Sequence, residues 1–330
     1  MLSRIRRGSL VGLLVGITGL TVLVAWQGWT GLAARLGQAG WQLLWIPGYF
    51  ALPLVLATAA WRWLWPAGQG PRLSRALYAV WLGSAVNWLL PVAQVGGEIL
   101  RARLLAQWRY ALAPGIASLV ADKTVQVLTQ VLFALLGLAL FVYITPSPAL
   151  AWASLAGAGL LGILVGVFYR LQQRGLFAAL SRRAARLWPT SEAAWRTQAE
   201  AVDAALVAVY ARRRRLLMGI VLRLAFRLAL AGEIYLALHF LGQPVSVLEA
   251  MILESMAQTV RAAVFLIPGG IGAQEGVLVA VGMALGLPPD IALAMALAKR
   301  VRELVIGLPG LLLWQLSEWR RLARQGDSLA

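Results

Sequence analysis

The stretch Asn87-Trp-Leu-Leu-Pro91-Val-Ala-Gln-Val-Gly96-Gly97-Glu98 breaks an apolar segment at a proline and places a glutamate seven residues later. The stretch Phe265-Leu-Ile-Pro268-Gly269-Gly270-Ile-Gly272-Ala-Gln-Glu275 repeats that arrangement. Both lie in surroundings apolar enough to enter a membrane. There a broken helix strands backbone polar groups and a bare carboxylate is costly. Paired, Gly/Pro-interrupted segments in the two halves of a membrane protein point to a transport site.

Working outward, the rest of the chain is as apolar as these two stretches. Of 330 residues, 60% are hydrophobic, 13% are charged and 15 are tryptophan, whereas soluble domains carry about 25% charged residues. Apolar runs recur at Leu10–Trp26, Trp41–Ala60, Gly115–Tyr143, Leu150–Tyr169, Leu216–Leu241 and Ile291–Trp314. Each is near or above the ~20 residues that span hydrocarbon. The expected fold class is an all-α polytopic integral membrane protein. It has about six transmembrane helices plus two oppositely oriented re-entrant helical loops in an inverted repeat. The first run follows Arg4, Arg6 and Arg7 but is longer than a signal-peptide core and has no small-x-small cleavage site, so it reads as a retained span.

The net charge of +17 is distributed by face. Arginines gather at one set of span ends: Arg4, Arg6 and Arg7; Arg62, Arg72 and Arg75; Arg101, Arg103 and Arg109; many within Arg170–Arg215; and Arg320, Arg321 and Arg324. The alternate connections hold only Arg35 in Gln27–Gly40 and no Lys or Arg in Thr145–Ala149 or Gly242–Ser246. This positive-inside pattern predicts a multi-pass membrane protein with both termini cytoplasmic. The basic excess then reflects topology and attraction to anionic lipid, and nucleic acid is not an expected partner. There is no cysteine, which excludes disulfides, a thiolate nucleophile and Cys-based metal sites. Arg75 and Arg109 flank the first broken segment on the cytoplasmic side, while Arg-free connections flank the second. One re-entrant loop therefore enters from each side.

Pro91 and Pro268 are 177 positions apart, and the same offset lays Glu98 on Glu275, Asp122-Lys123 on Lys299-Arg300, and Gln126 on Glu303. It also lays Trp41–Trp63 on Met218–Phe240. The predicted organisation is one membrane domain. It comprises an N-terminal span in 1–40, a first repeat in 41–143, a linking span in 150–169, a cytoplasmic amphipathic connection in 170–215, a second repeat in 216–317 and a cytoplasmic tail in 318–330. In the connection, a helix capped by Thr190 or Ser191 carries an apolar stripe of Trp195, Val202, Leu206 and Val209.

A helix starting at Gly96-Gly97 exposes unpaired N–H groups and a positive dipole end within the membrane, and one starting near Gly272-Ala273 does so in the second loop. Glycine at Gly96, Gly97, Gly269 and Gly270 lets a polar headgroup approach the backbone. Such ends suit phosphate or carboxylate. Asn87, Gln94 and Gln274 supply polar side chains beside the breaks. Arg101, one turn after Glu98, is expected to pair with it or with a headgroup. The bland reading is that Gly and Pro serve close helix packing alone. Asp122, Lys123, Arg261, Lys299, Arg300 and Glu303 add intramembrane charges that must pair or face a hydrated cavity. Arg223 and Arg227 follow Arg212–Arg215 and are expected to snorkel to the inner surface. No nucleotide loop, HExxH, GxSxG or metal cluster occurs, so neither a cofactor nor a metal is expected.

The run from Asn87 to Arg103 resembles the lysylphosphatidylglycerol-synthase transmembrane family, and especially its HpnL-type proteins associated with hopanoid biosynthesis. Asp122-Lys123-Thr124, Ile267 to Glu275 and Ala298-Lys-Arg-Val-Arg-Glu303 are similar to the same family. The resemblance implies a flippase-like domain that moves or presents lipids with polar headgroups, hopanoid or aminoacylated phospholipid. Larger members add a soluble aminoacyl-transferase domain, which this sequence lacks, so a non-enzyme is expected. Expected partners are a membrane lipid substrate, anionic lipids and lipid-biosynthesis enzymes. Two alternatives stand beside translocation. One is an intramembrane lipid-modifying enzyme using Glu98, Asp122 or Glu275 as acid or base, and the other is a scaffold for lipid-synthesis enzymes.

Overall fold

The computed structural model describes residues 40–90, 92, 94–144, 192–264, 267 and 270–327, with isolated positions at 18, 21, 37, 166, 167 and 170. The expected spans Leu10–Trp26 and Leu150–Tyr169, and the break residues Pro91, Pro268 and Gly269, lie outside the residues so described, the isolated positions aside.

The described elements are helical. A 3₁₀ turn at Gly40–Leu44 leads into α1 (Trp45–Tyr49) and α2 (Ala51–Trp63). After them come α3 (Leu73–Leu89), α4 (Gly96–Gln107) and α5 (Leu112–Ile144). Beyond the second connection follow α6 (Glu192–Ala211), α7 (Arg213–Phe240), α8 (Val247–Ala263), α9 (Ala273–Ala284) and α10 (Pro289–Asp327). Gly40–Trp63 and Leu112–Ile144 are long and apolar enough to cross a membrane. The expected spans Leu216–Leu241 and Ile291–Trp314 fall within α7 and α10, which are long but carry buried charges.

The element bounds repeat with the 177-residue offset. Shifting Gly96–Gln107 by it gives Ala273–Ala284, the bounds of α9. The start of α5 falls on the start of α10, and the end of α2 on the end of α7. Helix α3 maps to within three residues of α8.

Two compact units form. One gathers the described residues within Met1–Ala51, Tyr78–Leu100 and Leu230–Ala330. Its core joins Ile46, Ile234 and Leu238 to Leu253, Leu278 and the run Ile291–Ala296. Ser246 starts α8 with a reciprocal cap: its hydroxyl accepts from Glu249 N–H, and the Glu249 carboxylate accepts from Ser246 N–H. The other unit gathers those within Leu52–Leu77 and Arg101–Ala229. In it α6 packs on α5 through Leu206, Val209 and Tyr210 against Leu64, Ala117 and Ala121. Tyr210 Oη donates to Thr124 Oγ1 at 3.1 Å. The apolar stripe of the connection is therefore a packing face, with Val202, Leu206 and Val209 all buried.

Candidate functional site

Both broken segments belong to the first unit. The backbone of the first resumes as α4 at Gly96, as its glycine pair requires. Asn87, at the end of α3, turns back onto that start: its Oδ1 accepts from Gly97 N–H at 2.8 Å and its Nδ2 donates to Glu98 Oε2 at 3.3 Å. One side chain thus satisfies an orphan helix-start donor and holds the glutamate. A Cβ on Gly97 would stand 2.2 Å from Gly83 carbonyl oxygen, so only glycine lets α4 lie this close to α3. The second segment resumes as α9, and there the glutamate is its own cap. Glu275 Oε2 accepts from Gly272 N–H at 2.6 Å, with Gly272 at φ 80°.

Both segments reach Arg261 at the end of α8. Gln94 sits in the left-handed region at φ 55°, and its Nε2 donates to Arg261 carbonyl oxygen at 3.0 Å, at the end of α8. From Arg261 a chain of charges leads back to the second loop. Arg261 Nη1 meets Glu303 Oε1 at 2.6 Å, and Glu303 Oε2 receives Arg300 Nη1 at 2.5 Å. Arg300 Nε then reaches Glu275 Oε1, beside Gly272. Gly270, at φ 66°, lies against Arg261, where an added Cβ would stand 3.5 Å from its Cα. Gln274 is buried in the first turn of α9. Arg261, Glu275 and Glu303 are all buried. Guanidinium forks matched to carboxylates satisfy charges that low dielectric would otherwise penalise.

Two further pairs lie in this unit. Lys299 Nζ donates to Glu254 Oε2, while Gln258 Nε2 donates to Glu254 Oε1 at 2.7 Å. Arg302 forms a fork on Glu233 at 2.8 and 3.0 Å, with its guanidinium 4.3 Å from the Phe50 ring centroid and 5.0 Å from that of Trp88.

The second unit holds its own cluster. Asp122 on α5 is fully buried and receives Arg223 at 2.6 to 3.0 Å and Arg101 at 3.2 and 3.3 Å. Gln126 Nε2 adds a bond at 3.1 Å, and Arg227 Nη2 donates to Gln126 carbonyl oxygen at 2.9 Å. The Arg101 guanidinium also lies 4.0 Å from the Trp61 ring centroid. Lys123 is half-buried one residue on.

Several expectations change here. Arg101 leaves the surface and joins Asp122. Arg223 and Arg227 do not snorkel: they are 4% and 7% exposed and occupy the inner side of α7. Asp122 takes its basic partners from Arg101 and Arg223, Lys299 takes Glu254, and Arg300 takes Glu275 and Glu303. The sequence reading missed Glu254 and Arg302. The signal was present, since Glu254 and Arg261 are two turns apart on the α8 face that also buries Ala250, Leu253 and Ala257.

Apolar helices, broken segments at matched positions and buried, ion-paired charges define a helical membrane protein. The sequence matches the family of the lysylphosphatidylglycerol synthase TM region over residues 9–310, and the chain belongs to that family. No curated protein and no solved structure matches it. The matched region is the membrane domain of a family whose catalytic domain is separate, and it carries a membrane-lipid-related function.

Proposed function

We propose that the protein is a lipid translocase of a bacterial inner membrane, moving or presenting lipids with polar headgroups such as hopanoids or aminoacylated phospholipids. The two broken segments are the re-entrant loops of inverted halves, and both termini are cytoplasmic. The observation that carries this reading is the junction of the loops. Gln94 bonds to Arg261, and Arg261 begins a line of four charged side chains that ends at the glutamate capping the other loop. A headgroup anion that binds at the helix starts competes with Asn87 for the Gly97 N–H and with Glu275 for the Gly272 N–H. Binding then loosens the loops, and charge pairs re-form as access changes side. The coincidence of four element bounds at one offset supports two halves built alike.

The test is lipid movement by the purified protein in vesicles, against a panel of anionic, aminoacylated and hopanoid lipids, with Glu98→Gln and Glu275→Gln as variants. Both keep shape and remove charge. Severe loss of movement in variants that still fold supports the reading. A chemically altered lipid in the product would instead reveal a lipid-modifying enzyme. Wild-type protein that moves no lipid of the panel would overturn the reading.

A further inference from the structure

Three connections of the second unit carry arginine without acid. They are 64–72 between α2 and α3, 108–111 between α4 and α5, and the junction of α6 and α7 at Arg212. No Asp or Glu occurs in 62–75, 101–121 or 204–232. Trp65 ties the three connections together. Its ring centroid lies 6.0 Å from that of Tyr110 in the second connection, and its carbonyl oxygen accepts from Arg215 Nη1 at the start of α7. Within its own connection Gly70 packs on it, where an added Cβ would stand 3.0 Å from the Trp65 Cβ. The arginines of three separate turns are thereby gathered around one indole.

Three of these arginines are held in place. Arg62 Nε donates to Pro71 carbonyl oxygen at 3.0 Å. Arg215, bonded to Trp65, also stands with its guanidinium 5.9 Å from the Trp63 ring centroid, and Arg75 stands 5.7 Å from that of Trp108. Both distances fall within the reach of cation–π attraction. Arg62 and Arg75 are exposed and Arg215 is half-buried. Among the described residues no carboxylate is ion-paired with any of the three.

We infer that Arg62, Arg75 and Arg215 form a preorganised binding face for the phosphate of anionic phospholipid headgroups. Such a face needs no lipid translocation and so stands apart from the translocase reading. Net charge alone attracts any anion, and salt screens it. Held guanidiniums do more, because their rotamer freedom is already lost and a planar fork meets two phosphate oxygens at once. With its Nε engaged, Arg62 has both terminal nitrogens left for a ligand. The source of the phosphate is the bilayer. Trp63 ends the apolar segment Gly40–Trp63, which is long enough to cross a membrane, and is 44% exposed. An indole at the end of a span sits at headgroup depth. Arg62, its neighbour in sequence, and Arg215, over its ring, then meet lipid phosphates. Arg72, Arg109, Arg212, Arg213 and Arg214, all exposed, repel the headgroup cation of a zwitterionic lipid and leave anionic phospholipid as the ligand.

The test is native mass spectrometry of the detergent-purified protein with an equimolar mixture of phosphatidic acid and phosphatidylcholine. Wild type should retain phosphatidic acid in preference to phosphatidylcholine. The variant Arg62→Lys/Arg75→Lys/Arg215→Lys keeps every charge and loses the forks. It should hold phosphatidic acid about tenfold more weakly, as fixed forks give way to mobile point charges. Should it fail to fold, Arg62→Lys/Arg75→Lys changes only exposed side chains and should weaken binding about threefold. Equal retention of the two lipids by wild type overturns the face. Undiminished phosphatidic acid binding in a folded Lys variant also overturns it and reduces these arginines to signals of topology. Inorganic phosphate that displaces the lipid at equal concentration overturns the assignment to a membrane lipid.

Discussion

Neutralising Asp122 should unbalance the second unit more than any other single change there. Its carboxylate is fully buried and accepts five hydrogen-bond contacts from Arg223 and Arg101 and a sixth from Gln126. Asp122→Asn keeps the volume and removes the carboxylate that Arg223 and Arg101 share. Breaking a buried pair from one side costs about 3–5 kcal/mol. At about 2–4 °C per kcal/mol, that is a fall in Tm of about 6–20 °C. Arg223→Met should cost less, about 1.5–3 kcal/mol, because Arg101 still neutralises the acid. Arg101→Met should cost less again, since its contacts are longer than those of Arg223. The decisive measurement is the double variant Asp122→Asn/Arg223→Met. Removing one of the two stranded cations should recover part of the loss and give a coupling of up to about 3 kcal/mol. The assay is thermal unfolding of the detergent-solubilised protein, followed by tryptophan fluorescence. Strictly additive effects, or a near-neutral Asp122→Asn, would refute the ion-pair account of this cluster.

Gly97→Ala should destabilise by about 1–3 kcal/mol through its clash with the Gly83 carbonyl, whereas Gly48→Ala, with open space around it in α1, should be neutral or stabilising. Opposite signs in the same melting assay check the close approach of α3 and α4. Leu206→Ala should cost about 2–5 kcal/mol and make the connection that carries α6 more sensitive to protease. Tyr210→Phe, which removes the bond to Thr124, should cost about 1 kcal/mol. The cysteine-free chain allows clean single-cysteine labelling. Cysteines replacing Arg75 and Arg109 should react from the same face of the membrane, and labelling from opposite faces would make the first broken segment a full span.

Much of the architecture was legible in the sequence because backbone chemistry is local. Gly96-Gly97 and Gly272-Ala273 mark helix starts wherever the chain goes, and both helices begin there. The matched offset was readable for the same reason, since glycine, proline and glutamate at equal spacing constrain length and break alike. The stripe Val202, Leu206 and Val209 gave a buried face by period alone. Charges were harder. Arg223 follows a run of four arginines, which reads as a surface feature, yet its place on the face with Arg227, Leu230 and Ile234 turns it inward.

By itself the sequence determined that this chain is helical, membrane-embedded and broken twice at matched positions. Those properties follow from composition, from the period of apolar residues and from the few residues that interrupt a helix. Which carboxylate meets which cation was decided only by the tertiary structure. An arginine side chain reaches equally well toward several neighbours, and the choice among Glu98, Asp122 and a headgroup for Arg101 depends on helix packing. The same holds for Lys299, whose partner Glu254 lies 45 residues away and meets it because α8 and α10 belong to one packed core. Proximity across helices is set by how side-chain volumes fit, and no spacing within a single segment encodes it.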